Sequence, residues 1–304
     1  MNKANATHNN VLFFPLFLIV LCSLVSFSGC SSAPRRADEV FVIRRTAANQ
    51  LSEANHHAAH GRFLEALAIL EDVRRLAFAT DDPSLRINTA ISRGNVLFAL
   101  DRRPEAFVEW ENAAAEADSS AMPPLAARAR IYTIRAHVTL LSEATDSGAD
   151  TTARAEALRA QVAAEIAAAG ADKVSQAAGY LTVALAEKHV HRWAEAEAAA
   201  RRALAIYEQA RFLEDAAYAW FIIASIRSLS GKYDTALQAL RTAIEFDRRA
   251  ENGFGLASSW HAMGDIHRRT GRTEESRTAH RRAADIYRAI GDTRRAEELE
   301  VLLR

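Results

Sequence analysis

Apolar residues along most of this chain recur at steps of three, four and seven, the rhythm of one helix face. Residues 125–141 carry Ile131, Ile134 and Val138, and residues 151–169 carry Leu158, Val162 and Ile166 on one stripe. The Val/Ile/Thr-rich runs that build buried strands are missing. A slower rhythm overlies the first. Ala184, His191, Trp193, Ala196, Ala200 and Ala203 are matched 40 residues later by Ala224, Gly231, Tyr233, Ala236, Leu240 and Ala243. They are matched again by Gly264, Gly271, Thr273, Ser276, His280 and Ala283. Upstream, Ala54, Gly61, Phe63, Ala66, Leu70 and Val73 precede Gly94, Asp101, Arg103, Ala106, Trp110 and Ala113 by the same 40 residues.

Each copy predicts two antiparallel helices. Small residues fall where the axes cross, because a larger side chain there would overpack the contact. Gly61, Gly231 and Gly271 fall where the first helix must stop, with Asp101 and His191 in their place in two copies. One hairpin cannot bury its apolar face, but stacked neighbours can, which makes a solenoid. The third copy holds ten extra residues, expected near 142–151, where Asp146-Ser147-Gly148-Ala149-Asp150 is rich in turn formers. The shift puts Glu156 at a crossing position, and the insertion reads either as surface slack or as a contact loop. The polar helix expected over 293–303 would cap the stack.

The pattern resembles the tetratricopeptide repeat. Trp220-Phe221-Ile222-Ile223-Ala224 and Trp260-His261-Ala262-Met263-Gly264 reproduce the family's opening motif, and the long period is similar to that of kinesin light chains. The resemblance implies an all-α, right-handed α-solenoid of about six hairpins over residues 47–290, closed by a capping helix over 291–304. It also implies a concave groove lined by the first helix of each hairpin. Carried over by position, the groove residues are Asn55, Asn88, Ile91, Asn95, Phe98, Arg128, Arg135, Tyr218, Phe221, Ser225, His261, Asp265 and Arg268. Leu51 stands where the family's chaperone-binding carboxylate clamp needs Lys, so that clamp is not expected.

Composition supports the helical reading. About a fifth of the chain is alanine, against 12 Gly and 6 Pro, and alanine is the best helix former. A large sheet is excluded, and Rossmann and TIM-barrel enzymes with it. The 38 basic and 38 acidic residues balance, so no nucleic-acid partner is expected. Arg268, Arg269, Arg272, Arg277, Arg281 and Arg282 are interleaved with Glu274, Glu275 and Asp285, which reads as a solvated, salt-bridged face.

The start of the chain reads as an address. Lys3, an apolar run over Val11–Val25 and small residues before Cys30 describe a secretory leader. Ser28-Gly29-Cys30 resembles a bacterial lipobox, although Phe27 stands where Leu is usual. That resemblance implies removal of residues 1–29, acylation of Cys30 and a linker over 30–46. An uncleaved membrane helix and cleavage without lipid are the alternatives. Ser31, rather than Asp, after Cys30 resembles the outer-membrane-retained class of lipoproteins, which implies the periplasmic face of the outer membrane in the bacterial cell envelope. Cys22 would leave with the leader, so no disulfide is expected.

Chemistry is sparse. His56 and His60 are one helical turn apart, with His57 between, but no carboxylate or Cys completes a ligand set at a diagnostic spacing. No metal, no cofactor and no catalysis are expected. The leading expectation is a membrane-anchored scaffold that captures an envelope protein or peptide segment in its groove. The alternative is a ligand-delivery component of a transporter, which needs a ring tight enough to bring first and last units together. Enzymatic chemistry in the inserted loop would rest on Asp146 and Asp150 alone.

Overall fold

The computed structural model describes residues 42–143 and 149–303. The leader, Cys30 and Asp146 lie outside the described residues. Thirteen helices follow one another without a strand among the described residues: α1 (Val42–Ala59), α2 (Phe63–Ala79), α3 (Pro83–Ala99), α4 (Arg103–Ser119), α5 (Pro123–Glu143), α6 (Ala149–Ala168), α7 (Lys173–His189), α8 (Trp193–Ala210), α9 (Leu213–Leu229), α10 (Tyr233–Arg249), α11 (Gly253–Arg269), α12 (Thr273–Ala289) and α13 (Thr293–Leu303). Odd- and even-numbered helices pair into six hairpins, and α13 packs on α12. α1 starts at Val42, inside the segment expected as linker.

Within the 40-residue hairpin the turns recur at half that interval. Asp81, Asp101, Ala121, His191, Arg211 and Glu251 all have positive φ, as do Gly61, Gly231, Gly271 and Gly291. Arg211 caps its helix directly and the others stand one residue beyond a helix's capping position, at 20-residue spacing wherever the repeat is regular. After α3, for example, the Arg102 N–H donates to the Leu97 carbonyl at 2.9 Å and the Asp101 N–H to that of Phe98 at 3.1 Å. That pair of bonds is the Schellman closure of a helix end. Most helices therefore run 17 residues between three-residue turns, which is why two helices make 40.

Small residues sit where the repeat requires. Ala54, Ala66, Ala106, Ala184, Ala196 and Ala236 are buried at the crossings. At Gly94 a Cβ would lie 2.4 Å from Trp110 Nε1, so the missing side chain makes the notch that the indole fills.

The third hairpin departs from expectation. α5 has 21 residues and α6 has 20, so most of the insertion extends helices. The buried crossing residue on α6 is Ala155, with Glu156 half-exposed beside it. α6 is out of step with the other second helices by one residue, and that moves the carboxylate off the crossing. α5 also packs broadly against α7, the first helix of the next hairpin.

At the far end Ala296 and Leu299 of α13 bury against Ala257, Ala283, Ala284 and Tyr287. The outer face of α13 carries Arg294, paired to Glu298 at 2.6 Å, together with the exposed Val301.

Candidate functional site

The first helices of the hairpins face inward, and the stack curls until its start meets its later units. The turn after α1 packs against α9 and α11: Phe63 meets Phe254 edge-on at 5.9 Å, and His56 Nδ1 lies 3.9 Å from Glu214 Oε1. Between these elements lies a cavity of about 430 Å³. Phe63, Tyr218, Phe221 and Phe254 give it apolar walls, while Glu214, Asp215 and Asp247 bring three carboxylates to it.

Asp247 is the most constrained of these. It is 2% exposed near the end of α10, and the Asn252 side-chain amide donates to its Oδ1 at 2.8 Å. Asn252 also caps α11 by accepting from the Gly255 N–H at 3.0 Å. Burial pushes the Asp247 carboxyl up to about 7, with the Asn252 hydrogen bond opposing. Burial likewise raises Glu214. Ser259, 1% exposed, is also part of the wall, and its hydroxyl has no hydrogen-bond partner among the described residues. A carboxylate-bearing, aromatic-walled cavity suits an organic cation with an apolar body.

The expected groove residues fall into three groups. Tyr218, 41% exposed, stacks on Phe221 at 6.5 Å, and both face the cavity. Phe221 and Ser225 continue along a second hollow of about 180 Å³ that reaches Asp265. Lys188 Nζ donates to Ser225 Oγ at 3.4 Å, and burial lowers the pKa of that ammonium. His261, Asp265 and Arg268 cluster on α11, with Arg268 Nη2 3.0 Å from Asp265 Oδ1.

The upstream residues mostly hold hairpins together. Arg128 donates to Asn88 Oδ1 at 3.2 Å, Ser175 Oγ at 2.9 Å and Asp172 Oδ2 at 2.6 Å, tying α3, α5 and α7 into one wall. Arg135 donates to the Ala178 carbonyl at 2.7 Å and lies over the Tyr132 ring at 5.1 Å. Ile91 is 4% exposed and belongs to the core between α3, α4 and α5 instead of the open groove. Its side of α3 is covered by the next hairpin. Asn95 and Phe98 are half-buried, Phe98 lying 5.9 Å from Trp110, and Asn55 is exposed.

Sequence reasoning missed Glu214, Asp247, Asn252 and Phe254. Asp247 carried a signal. Its neighbours at the 40-residue interval, Tyr207 and Tyr287, are buried aromatics, so an acid there breaks the core pattern. Glu214 also supplies the carboxylate that the His56 and His60 pair lacked in sequence, because the curl brings α9 beside α1.

Known proteins agree with this architecture. The tetratricopeptide repeat family profile matches residues 215–289. No curated protein sequence matches the chain. Among solved structures, the Rap protein complexed with Competence and Sporulation Factor is similar over 85% of this chain and 70% of its own, at 16% identity and a TM-score of 0.56. A signal transduction ATPase with a tetratricopeptide repeat sensor from Pyrococcus horikoshii is similar over 84% of this chain and 42% of its own, at 14% identity and a TM-score of 0.51. Residues 215–289 are tetratricopeptide repeats, and the described chain has the fold of an array of them.

Proposed function

We propose that this chain is a non-enzymatic binding scaffold that holds a segment of another protein along the inner face of α9 and α11. A basic side chain or amine of that segment would enter the cavity. The observation that carries the reading is the cavity itself: aromatic walls, three carboxylates, and one of those acids buried without a cationic partner among the described residues. Such a site discriminates by charge as well as by shape. A neutral apolar segment would leave Asp247 without a cation and the Ser259 hydroxyl without a hydrogen-bond partner, which disfavours it.

A photoreactive residue at Phe221 tests this directly in cells. Covalent capture of a defined protein or peptide, competed away by a lysine-rich peptide, is the expected outcome. Absence of any adduct overturns the reading. A small-molecule adduct, seen as a discrete mass increment on the intact chain, would favour the second reading: a component that delivers a small organic cation to a transporter. The packing of the first hairpin against α9 and α11 favours that alternative, because it encloses the cavity on a further side.

The leader-like segment and Cys30 support a place in the bacterial envelope, with an acyl anchor on the periplasmic face of the outer membrane and an envelope protein as partner. Replacement Cys30→Ser should move the protein from the membrane fraction to the soluble one. Unchanged fractionation disposes of the anchor and leaves the groove reading standing.

A further inference from the structure

His261 and Asp265 lie one turn apart on α11, and His280 reaches them from the middle of α12. One donor atom from each lies within 4.8 Å of the other two. The closer separations are 3.4 Å, from His280 Nε2 to Asp265 Oδ1, and 3.6 Å, from His261 Nε2 to Asp265 Oδ2. Both exceed the usual reach of an N–H···O hydrogen bond. His280 is 2% exposed, and its Nε2 is buried without a hydrogen-bond partner. A buried ring nitrogen that makes no hydrogen bond, 3.4 Å from one ligand-type side chain and close to a second, leaves a place for an occupant.

The spacing says what kind. Donors about 2.0–2.1 Å from a tetrahedral zinc ion are separated by roughly 3.3–3.4 Å, close to the shorter distances here. The His280 ring cannot drift to close the gap. It fills the notch at Gly264, where a Cβ would lie 2.1 Å from His280 Cδ2. His261 and Asp265 are more than a third exposed, and Asp265 lines the hollow beside Phe221 and Ser225, so coordination positions beyond these three remain open to water or to a group from a bound partner.

We infer that His261, Asp265 and His280 form a binding site for a divalent d-block cation of zinc's class, with its open positions facing the groove. Arg268 shares the Asp265 carboxylate, but it is 60% exposed and can turn outward when the ion arrives. The trio His56, His60 and Glu214 carries the inference less far. His60 Nδ1 is already bonded to the His56 carbonyl at 2.7 Å, and no member is buried.

The test is titration of the chelator-treated full chain with Co(II), whose visible absorption intensifies in a tetrahedral site, followed by displacement with Zn(II). One equivalent should saturate the band, zinc should quench it, and zinc should raise the melting temperature. His280→Ala removes a buried packing group and can unfold the hairpin. The decisive variants are therefore the more exposed His261→Ala and Asp265→Asn, each checked for helicity. Each should weaken Co(II) binding at least tenfold, while His56→Ala leaves it unchanged. A parent without a saturable band, or an Asp265→Asn chain that binds as the parent does, overturns the inference. The titration uses no protein partner, so its failure would leave the groove proposal intact.

Discussion

The ring of Phe63, at the start of α2, meets the ring of Phe254 on α11 edge-on, with planes at 75°. This contact joins the first hairpin to the sixth, where the curl of the stack closes on itself. Edge-to-face aromatic pairs contribute about 0.5–1.5 kcal/mol beyond their buried area. A double-mutant cycle with Phe63→Ala and Phe254→Ala, read by urea unfolding, should give a coupling energy in that range. The double variant should also show a larger radius of gyration in solution scattering. Additive effects and an unchanged radius would mean that the closure is incidental to the curl.

Asp247 should make stability depend on pH with a definite sign. Its folded-state pKa, about 7, is raised above the ordinary 3.8. Below the unfolded pKa both states hold the proton and no penalty arises. As pH rises, the unfolded chain ionises first, so the stability associated with the neutral buried acid is lost until the folded pKa is passed. Asp247→Asn removes this dependence. It should match the parent near pH 4 and be more stable near pH 8, by on the order of 2–4 kcal/mol. A stabilisation equal at both pH values would show that the carboxyl ionises freely in the fold.

The repeat was legible in the sequence because crossing positions tolerate only small residues, and Ala54, Ala66, Ala106, Ala184, Ala196 and Ala236 report that constraint directly. The 20-residue turn rhythm was half hidden. Gly marks it at 61, 231 and 271, but Ala121, Arg211 and Glu251 adopt the same backbone without announcing it. In the third hairpin a one-residue offset separates Ala155 from Glu156, and the offset depends on how the insertion divides between turns and longer helices. The cavity was the least readable feature. Phe63 and Phe254 meet only because small rotations add up over five hairpins, and no local pattern records that sum. Two of its lining residues, Tyr218 and Phe221, stand at positions that the resemblance assigns to the inner face of a first helix.

Residues held at positive φ give a test of the turn rhythm. Ala121 adopts φ 55, which strains an L residue by roughly 1–2 kcal/mol in a left-handed conformation. Ala121→Gly should therefore stabilise the chain by about 1 kcal/mol, where an ordinary exposed Ala→Gly change would weaken it. The reverse change, Gly231→Ala, should destabilise by a similar amount although nothing lies within 4 Å of its added methyl. Thermal or urea unfolding of both variants measures this, and effects of the same sign would count against the left-handed turn.

Gly94 tests packing without that backbone effect, since it lies inside α3. Its notch receives Trp110, whose Nε1 donates to the Ile91 carbonyl at 3.3 Å, and an added Cβ would press on the indole from 2.4 Å. The ring cannot retreat, because Phe107 meets it edge-on at 5.8 Å and Tyr132 stacks on it at 6.4 Å. In an isolated helix Gly→Ala would stabilise by about 1 kcal/mol. Here Gly94→Ala should destabilise by about 1–3 kcal/mol, with a shift in tryptophan fluorescence as the indole is displaced. Combining it with Trp110→Leu, which removes the obstructing ring, should bring the glycine-to-alanine change close to neutral. A Gly94→Ala chain as stable as the parent would mean that α3 and α4 do not nest through this notch, and the small-residue explanation of the repeat would fail at this hairpin.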